Sequence, residues 1–417
     1  MKILIIGFGS IGQGIVPLLR KHFSISEVNI ITAHKNGFKI AQKYNASISI
    51  KKITRRNYKE VLKSYNFDIL INVSVDVSSV DLINWCQTND RLYIDTCVEP
   101  WKGGYENNDK EKTTNYYLRQ EALKVTGKKT AIISHGANPG LISHLVKAAL
   151  DELKTFFKIK EPNYAKLAYN LGIKVVQVAE RDTQFSKISY DSETFVNTWS
   201  VDGFISEIKQ YAELGTSEDL SNLKNYHAYK CSFGNLSVYL DKPGYQTKVK
   251  SWVPSCGNHE AYLVTHHEAT SISNMLSYKN KRPTVYFAYM PCKHTVDSLH
   301  LLDKKVKKKK ILRDDIISGS DEMGALLVAK DFSYWFGSIL DYNQVSVEHN
   351  SATSLQVTIA VIAGIAWMLE NPNKGIIEAE DIDHNFILDI AKPYLGHYGG
   401  TFTDFKVKSL ALKDFLI

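Results

Sequence analysis

The chain opens MKILIIGFGSIGQGIVPLLRKHF, a run that leaves few ways of folding. Lys2 to Ile6 is a continuous apolar strand, GFGSIG is a glycine turn, and an amphipathic helix follows. Strand, GxGxxG and helix in that order form the dinucleotide-binding fingerprint of a doubly wound sheet. Gly7 makes the tight turn, Gly9 lets the backbone approach a pyrophosphate, and Gly12 lets helix and strand pack closely. The phosphates then lie over Ser10 and Ile11 at the helix N-terminus, where unpaired N–H groups and the helix dipole favour an anion.

The next strand is expected over VNIITAH, Val28 to His34, and an acidic residue at its end would hold the adenosine ribose. That place carries Thr32, His34 and Lys35 instead. The choice between NAD and NADP stays open at this point, because basic groups there could face a 2′-phosphate. Further apolar strands are expected over Phe67 to Val75, Arg91 to Glu99 and Lys129 to Gly140, giving the alternation of a Rossmann-type parallel sheet. Ligands bind beyond the carboxyl ends of such strands, so Asn72, Ser74, Asp76, Glu99, His135 and Asn138 are placed to reach cofactor or substrate. Asn138-Pro139-Gly140 is a turn, and the following residues have helical period. Asn138 therefore marks a hinge between domains.

A chain of 417 residues suits two or three domains. Its 44% apolar and 23% charged residues are those of an ordinary globular protein. Much of the +7 formal charge comes from LDKKVKKKK, Leu302 to Lys310, which has no interleaved aromatics and reads as a solvated loop rather than a nucleic-acid patch. Five cysteines with no CxxC pair suggest reduced thiols, and the absence of a leader or of a long uncharged apolar span suggests a cytoplasmic protein off the membrane.

From about Tyr164 the texture changes to β-like runs: YAKLAYNLGIKVVQVAERDT, FVNTWSVDGFISE, YKCSFGNLSVYL and TVYFAYM. They read as strands of a mixed sheet in an inserted, catalytic α+β domain. His266, His267 and Glu268 crowd a strand end and helix start, but the HExxH spacing is absent and no metal is expected. His267 is expected to be structural. Near the end, Ser351 to Gly375 is an apolar helix of the core that packs back on the cofactor domain. The expected division is 1–145 for the Rossmann domain, 146–345 for the insertion, and 346–417 for a helical segment that returns to the Rossmann domain.

Taken together, GFGSIG, NVSVDVSS, YIDTCVEPW, HGANPG, AERDTQ, NTWSVDGFISE, THHEATSIS and SDEMGALL resemble the bacterial homospermidine synthases, a family of the saccharopine dehydrogenase-like superfamily. The resemblance covers nearly the whole chain. It implies an inserted substrate domain, a homodimer and NAD that is used without being consumed. One putrescine is oxidised with loss of ammonia, a second condenses to a Schiff base, and the same NADH reduces that to sym-homospermidine; spermidine can replace the donor and release diaminopropane. The family's cation-binding Trp falls on Trp199 and its pocket carboxylates on Glu99, Glu180, Glu207 and Glu268. His266 and Asn138 match further site positions, and Asp76 and Asp321 match acidic ones.

The chemistry agrees with those residue types. Putrescine is a dication with an apolar middle, so its site wants carboxylates at the ends and an aromatic wall between. Hydride leaves an amine-bearing carbon only when the nitrogen is neutral, so a base must take a proton, and Glu207 and His266 are the candidates. A saccharopine or carboxyspermidine-type NAD(P)-dependent dehydrogenase would instead want Arg near a carboxylate, and Arg181 is the only Arg in the central motifs. A non-catalytic NAD-binding regulatory protein would keep the fold and lose the acidic set.

Overall fold

The computed structural model describes residues 1–218, 227–232, 236–304 and 306–417. Lys305 and residues 233–235, which belong to two of the runs read above, lie outside the described residues. Among the described residues the chain forms a seven-stranded parallel sheet and a ten-stranded mixed sheet.

The parallel sheet runs Ile376–Ile377, Ala131–Ile132, Leu92–Asp95, Ile69–Asn72, Lys2–Ile6, Glu27–Thr32, Ser47–Ile50. On its central strand Ile3 and Ile5 enter one apolar core while Leu4 and Ile6 enter another, so helices cover both faces of a doubly wound α/β sheet. The Ser10–His22 helix and the Ala352–Glu370 helix pack together on one side. Ser351 caps the second of these, accepting from the Ser354 N–H, and almost the whole helix is buried. Its apolar length is therefore spent on the core, as its composition suggested.

The mixed sheet orders Ala228–Lys230, Ser237–Pro243, Tyr211–Gly215, Thr284–Met290, Val175–Asp182, Ser320–Val328, Ser333–Asp341 and His397–Thr403, and the hairpin Lys248–Val253 with Gly257–Val264 joins it at Thr284–Met290. A small parallel pair, Thr194–Asn197 with Lys308–Ile311, stands beside it.

Four expectations change. Tyr164–Asn170 and Val201–Lys209 are helices where strands were expected. In the second, Val201, Phe204 and Ile208 bury at helical spacing and the Ser200 side chain accepts from the Gly203 N–H at 3.0 Å, so local capping outweighs the β-like composition. The lysine run is not simply a loop: Lys308–Ile311 pairs with Thr194–Asn197 while its side chains ion-pair outward with Asp191, Asp202 and Asp315. Residues 346–417 are not helical throughout. Ile376–Ile377 extends the parallel sheet, and the glycine-bearing His397–Thr403 strand forms an edge of the mixed one. Ser47–Ile50, SISI, is the outermost strand beside Glu27–Thr32, too polar and exposed for apolar periodicity to mark it.

Candidate active site

The glycine turn is built for a close approach. Gly7 has φ +95°, and a Cβ there would meet the Val73 carbonyl at 2.6 Å; one on Gly12 would meet the Gly7 carbonyl at 2.4 Å. A Cβ on Gly9 meets nothing within 4 Å, so the space over the turn is free for a ligand. Ser10, at the first helical position, is buried with an Oγ that has no hydrogen-bond partner. Ile11, next in the same turn, is half-buried against the apolar core. These features fit a dinucleotide diphosphate.

From this turn a cleft of about 2250 Å³ runs between the domains, past Ser74, Asp76 and Glu99 to Ser200, Ser206 and Arg313. The Ser74 hydroxyl donates to Asn72 Oδ1 at 2.6 Å. Asp76 sits at φ +64°, a conformation non-glycine residues rarely adopt, and its backbone N–H is directed at the Glu99 carboxylate. Burial lifts Glu99 to about 8, helped by the Glu207 carboxylate nearby.

Two acidic clusters lie deeper, joined by an aromatic wall. In the first, the register sets Asp321 opposite Asp182 and Tyr289 beside Glu180, so period-2 alternation places Glu180, Asp182 and Asp321 on one face. Their partners are neutral. Asn138 Nδ2 donates to Glu180 Oε2 at 2.7 Å, and Thr198 Oγ1 and the Gln184 N–H donate to Asp182 at 2.5 and 2.8 Å. Asp321 is fully buried with neither oxygen in a well-formed hydrogen bond, although the Thr353 hydroxyl eases its charge. Burial raises Glu180 to about 8 and Asp182 to about 6; burial and then the other two carboxylates raise Asp321 well above its ordinary value. The buried Tyr289 hydroxyl beside them has no partner.

In the second cluster His266 stands between two carboxylates, with Nε2 3.1 Å from Glu207 and Nδ1 3.1 Å from Glu268. Burial opposes its charge, but Glu268 and Glu207 outweigh that and raise the ring to about 10, so it is an imidazolium at neutral pH. The wall between the clusters consists of successive ring contacts: Trp199 to Phe204, Phe204 to Tyr289, Tyr289 to Phe287, and Phe287 stacked on His266 at 4.4 Å. Trp199 is half-buried.

The structure thus brings Glu99, Glu207, His266 and Glu268 into one electrostatic neighbourhood, where the half-buried Cys97 thiol feels Glu99, Glu207 and Glu268. It sets Asn138, Glu180 and Asp321 in the other cluster. Asp182 was missed although it lies two residues beyond Glu180 on what reads as a strand, which is itself enough to place it on the same face. Tyr289 could be found only through register. His267 lies outside the site and accepts a structural role: its Nε2 is 2.7 Å from Glu378, which Arg119 grips through Nε at 2.7 Å and Nη2 at 2.6 Å.

Comparisons with known proteins agree with this architecture. Residues 3–132 match the model described as saccharopine dehydrogenase NADP binding domain, and residues 136–399 that of the saccharopine dehydrogenase C-terminal domain. A homospermidine synthase of Blastochloris viridis is 39% identical over 96% of this chain and 91% of its own length. One from Mesorhizobium japonicum is 37% identical over 96% and 90%. The crystal structure of a homospermidine synthase from Legionella pneumophila, in complex with NAD, superposes with a TM-score of 0.89 at 40% identity, covering 97% of this chain and 92% of that one.

Proposed function

This chain belongs to the homospermidine synthase family, and from that membership and the shape of its cleft we propose that it moves an aminobutyl group from putrescine, or spermidine, to a second putrescine. The products are sym-homospermidine and ammonia, or diaminopropane when spermidine is the donor. NAD, when bound, supplies the hydride acceptor for the first half of the cycle and the donor for the second. Gly7, Gly9, Ser10, Ile11, Gly12, Ser74, Asp76 and Asn138 are the residues that hold it.

The observation that carries this reading is buried negative charge whose partners are neutral. Glu180, Asp182 and Asp321 share one sheet face without a resident cation in their hydrogen bonds. Such a face is costly unless a positive guest or protons neutralise it. An ammonium seated there replaces the proton that Glu180 otherwise keeps. The aromatic wall then spans the four-carbon middle, Trp199 faces the ammonium or iminium, and Glu99, Glu207 and Glu268 receive the other end.

Glu207 takes the proton that the reacting amine must lose, because it is the more exposed of the two candidates, 19% against 7% for the His266 side chain. His266 is already protonated with both nitrogens engaged, so it orients Glu207 and, with Glu268 behind it, holds the local charge steady. Arg181 alternates to the other side of its strand from Glu180 and Asp182 and donates to Ser255 at 3.1 Å. That arrangement disfavours a carboxylate-bearing substrate of the saccharopine type. Homodimer formation is supported by exposed Phe156, Phe157 and Phe402, which cluster beside the His397–Thr403 edge strand. Cytoplasmic residence is supported by five free cysteines.

Incubation with putrescine and sub-stoichiometric NAD, followed by mass analysis of the amines, tests the cycle. Homospermidine exceeding the cofactor many-fold is expected; product capped at the cofactor amount would make the protein a simple dehydrogenase. Trp199→Ala is expected to leave NADH affinity unchanged while kcat/KM for putrescine falls about 30-fold, the equivalent of ~2 kcal/mol for a desolvated cation–π contact. Near-normal turnover in that variant would remove the cation role from Trp199.

A further inference from the structure

We propose that Arg313, on the segment that follows the Lys308–Ile311 strand, is a ligand of the cofactor diphosphate supplied from the second domain. It holds the dinucleotide in place between the two hydride steps. The inference rests on the reading of the glycine turn as a NAD site.

Arg313 reaches the turn through Gln13, one helical turn from its N-terminus. Nη1 of Arg313 donates to Gln13 Oε1 at 3.1 Å and to the His349 carbonyl at 3.4 Å, while Gln13 Nε2 donates to the Phe8 carbonyl inside GFGSIG at 2.9 Å. The guanidinium is therefore fixed against the dinucleotide turn although it belongs to another domain. Its side chain is only 19% exposed, and Nε is shielded from solvent without a hydrogen bond, 3.5 Å from the exposed Asp314 carboxylate. Arg313, Gly7, Gly9 and Ser10 line the same cleft.

The electrostatics point the same way. The Ser10–His22 helix has no acidic residue in its first turn, so its positive dipole end is not offset locally. A guanidinium set beside that end is repelled unless an anion lies between them. The orphaned Ser10 hydroxyl, 4% exposed, is a second donor left for such a guest. A diphosphate offers several anionic oxygens and suits a forked cation, unlike a neutral ribose.

This placement answers a demand of the chemistry. The hydride removed in the first step must be returned in the last, so cofactor lost in between strands an unreduced imine. An arginine from the opposite domain makes release depend on the domains parting, whereas donors from the turn alone would not.

The test is binding rather than turnover. NADH fluorescence titration and a stopped-flow chase compare the wild type with Arg313→Met and Arg313→Lys, and ADP and adenosine are measured by displacement. Arg313→Met is expected to weaken NADH and ADP at least tenfold, chiefly through faster dissociation, with adenosine unaffected and Arg313→Lys in between. An unchanged thermal midpoint without ligand shows that the fold is intact. NADH affinity within twofold of wild type in Arg313→Met, or an equal loss for adenosine, overturns the proposal. A wild type that fails to bind NADH would instead overturn the reading of the cleft on which it depends.

Discussion

Glu207→Gln is expected to lower kcat by about 10²- to 10³-fold, within the range for removing a general base, while NADH affinity stays at the wild-type value. Glutamine keeps the size of the side chain and can still meet His266, but it cannot accept the proton that the amine must lose before hydride transfer. The check is the single-turnover rate of NADH formation with putrescine. The variant also separates the two candidate bases through pH. His266 stands at about 10 because burial is outweighed by Glu268 and Glu207. Losing one carboxylate brings its pKa down, so neutral imidazole accumulates at lower pH in the variant than in the wild type. If Glu207 is the base, the rate stays low up to pH 9. A rate that climbs back between pH 7 and 9 would assign the proton to His266.

The second large effect is on stability. Arg119, Glu378 and His267 tie the first domain, the C-terminal segment and the start of the Glu268–Met275 helix together, and all three side chains are buried. Arg119→Met leaves a buried carboxylate with a single histidine partner, and breaking such a pair costs about 3 to 5 kcal/mol. The thermal midpoint is expected to fall on the order of 10 °C. Arg119→Met with Glu378→Gln removes both charges, keeps an acceptor for His267, and should regain most of the loss. The sign with pH follows from Glu378. Burial would raise it, but His267 and Arg119 hold it near 2 against an ordinary value of 4.5, so its stabilisation is complete above 4.5 and lost as pH falls through about 2. The single variant's deficit is therefore greatest near neutrality and narrows in acid, which calorimetry across pH 3 to 7 measures. A midpoint within 2 °C of wild type at pH 7 would mean that the triad does not join the domains energetically.

The first domain was legible because its determinants are local. A buried strand, three glycines and a helix stand within 22 residues; a Cβ on Gly7 or Gly12 would strike backbone, and Gly9 leaves the space over the turn open. Glu180, Trp199 and Glu207 could be picked out as a chemically coherent set, but not how they meet. Glu207 was read on a strand, yet a helix whose cap is Ser200 carries it to His266. Asp182 and Asp321 belong to strands 139 positions apart, and only register makes them neighbours. Tyr289 and Arg313 carry no motif at all. Long-range pairing, not residue type, is what single-chain periodicity lacks. The edge of the second strand shows the reverse case: Thr32, His34 and Lys35 line the cleft as their position implied, but a missing carboxylate does not by itself choose the dinucleotide.

The strand Ile376–Ile377 and the helix Ala352–Glu370 complete a domain whose other strands end at Ile132. On the ribosome the first 132 residues emerge long before their last strand and covering helix exist. Apolar side chains such as Ile94 and Ile132 must wait, exposed to solvent or to chaperones, until more than 200 further residues have been made. The dinucleotide domain is in this sense the last part to mature as well as the first to be written, and a message truncated before residue 352 would yield an unfinished sheet rather than a free-standing cofactor module.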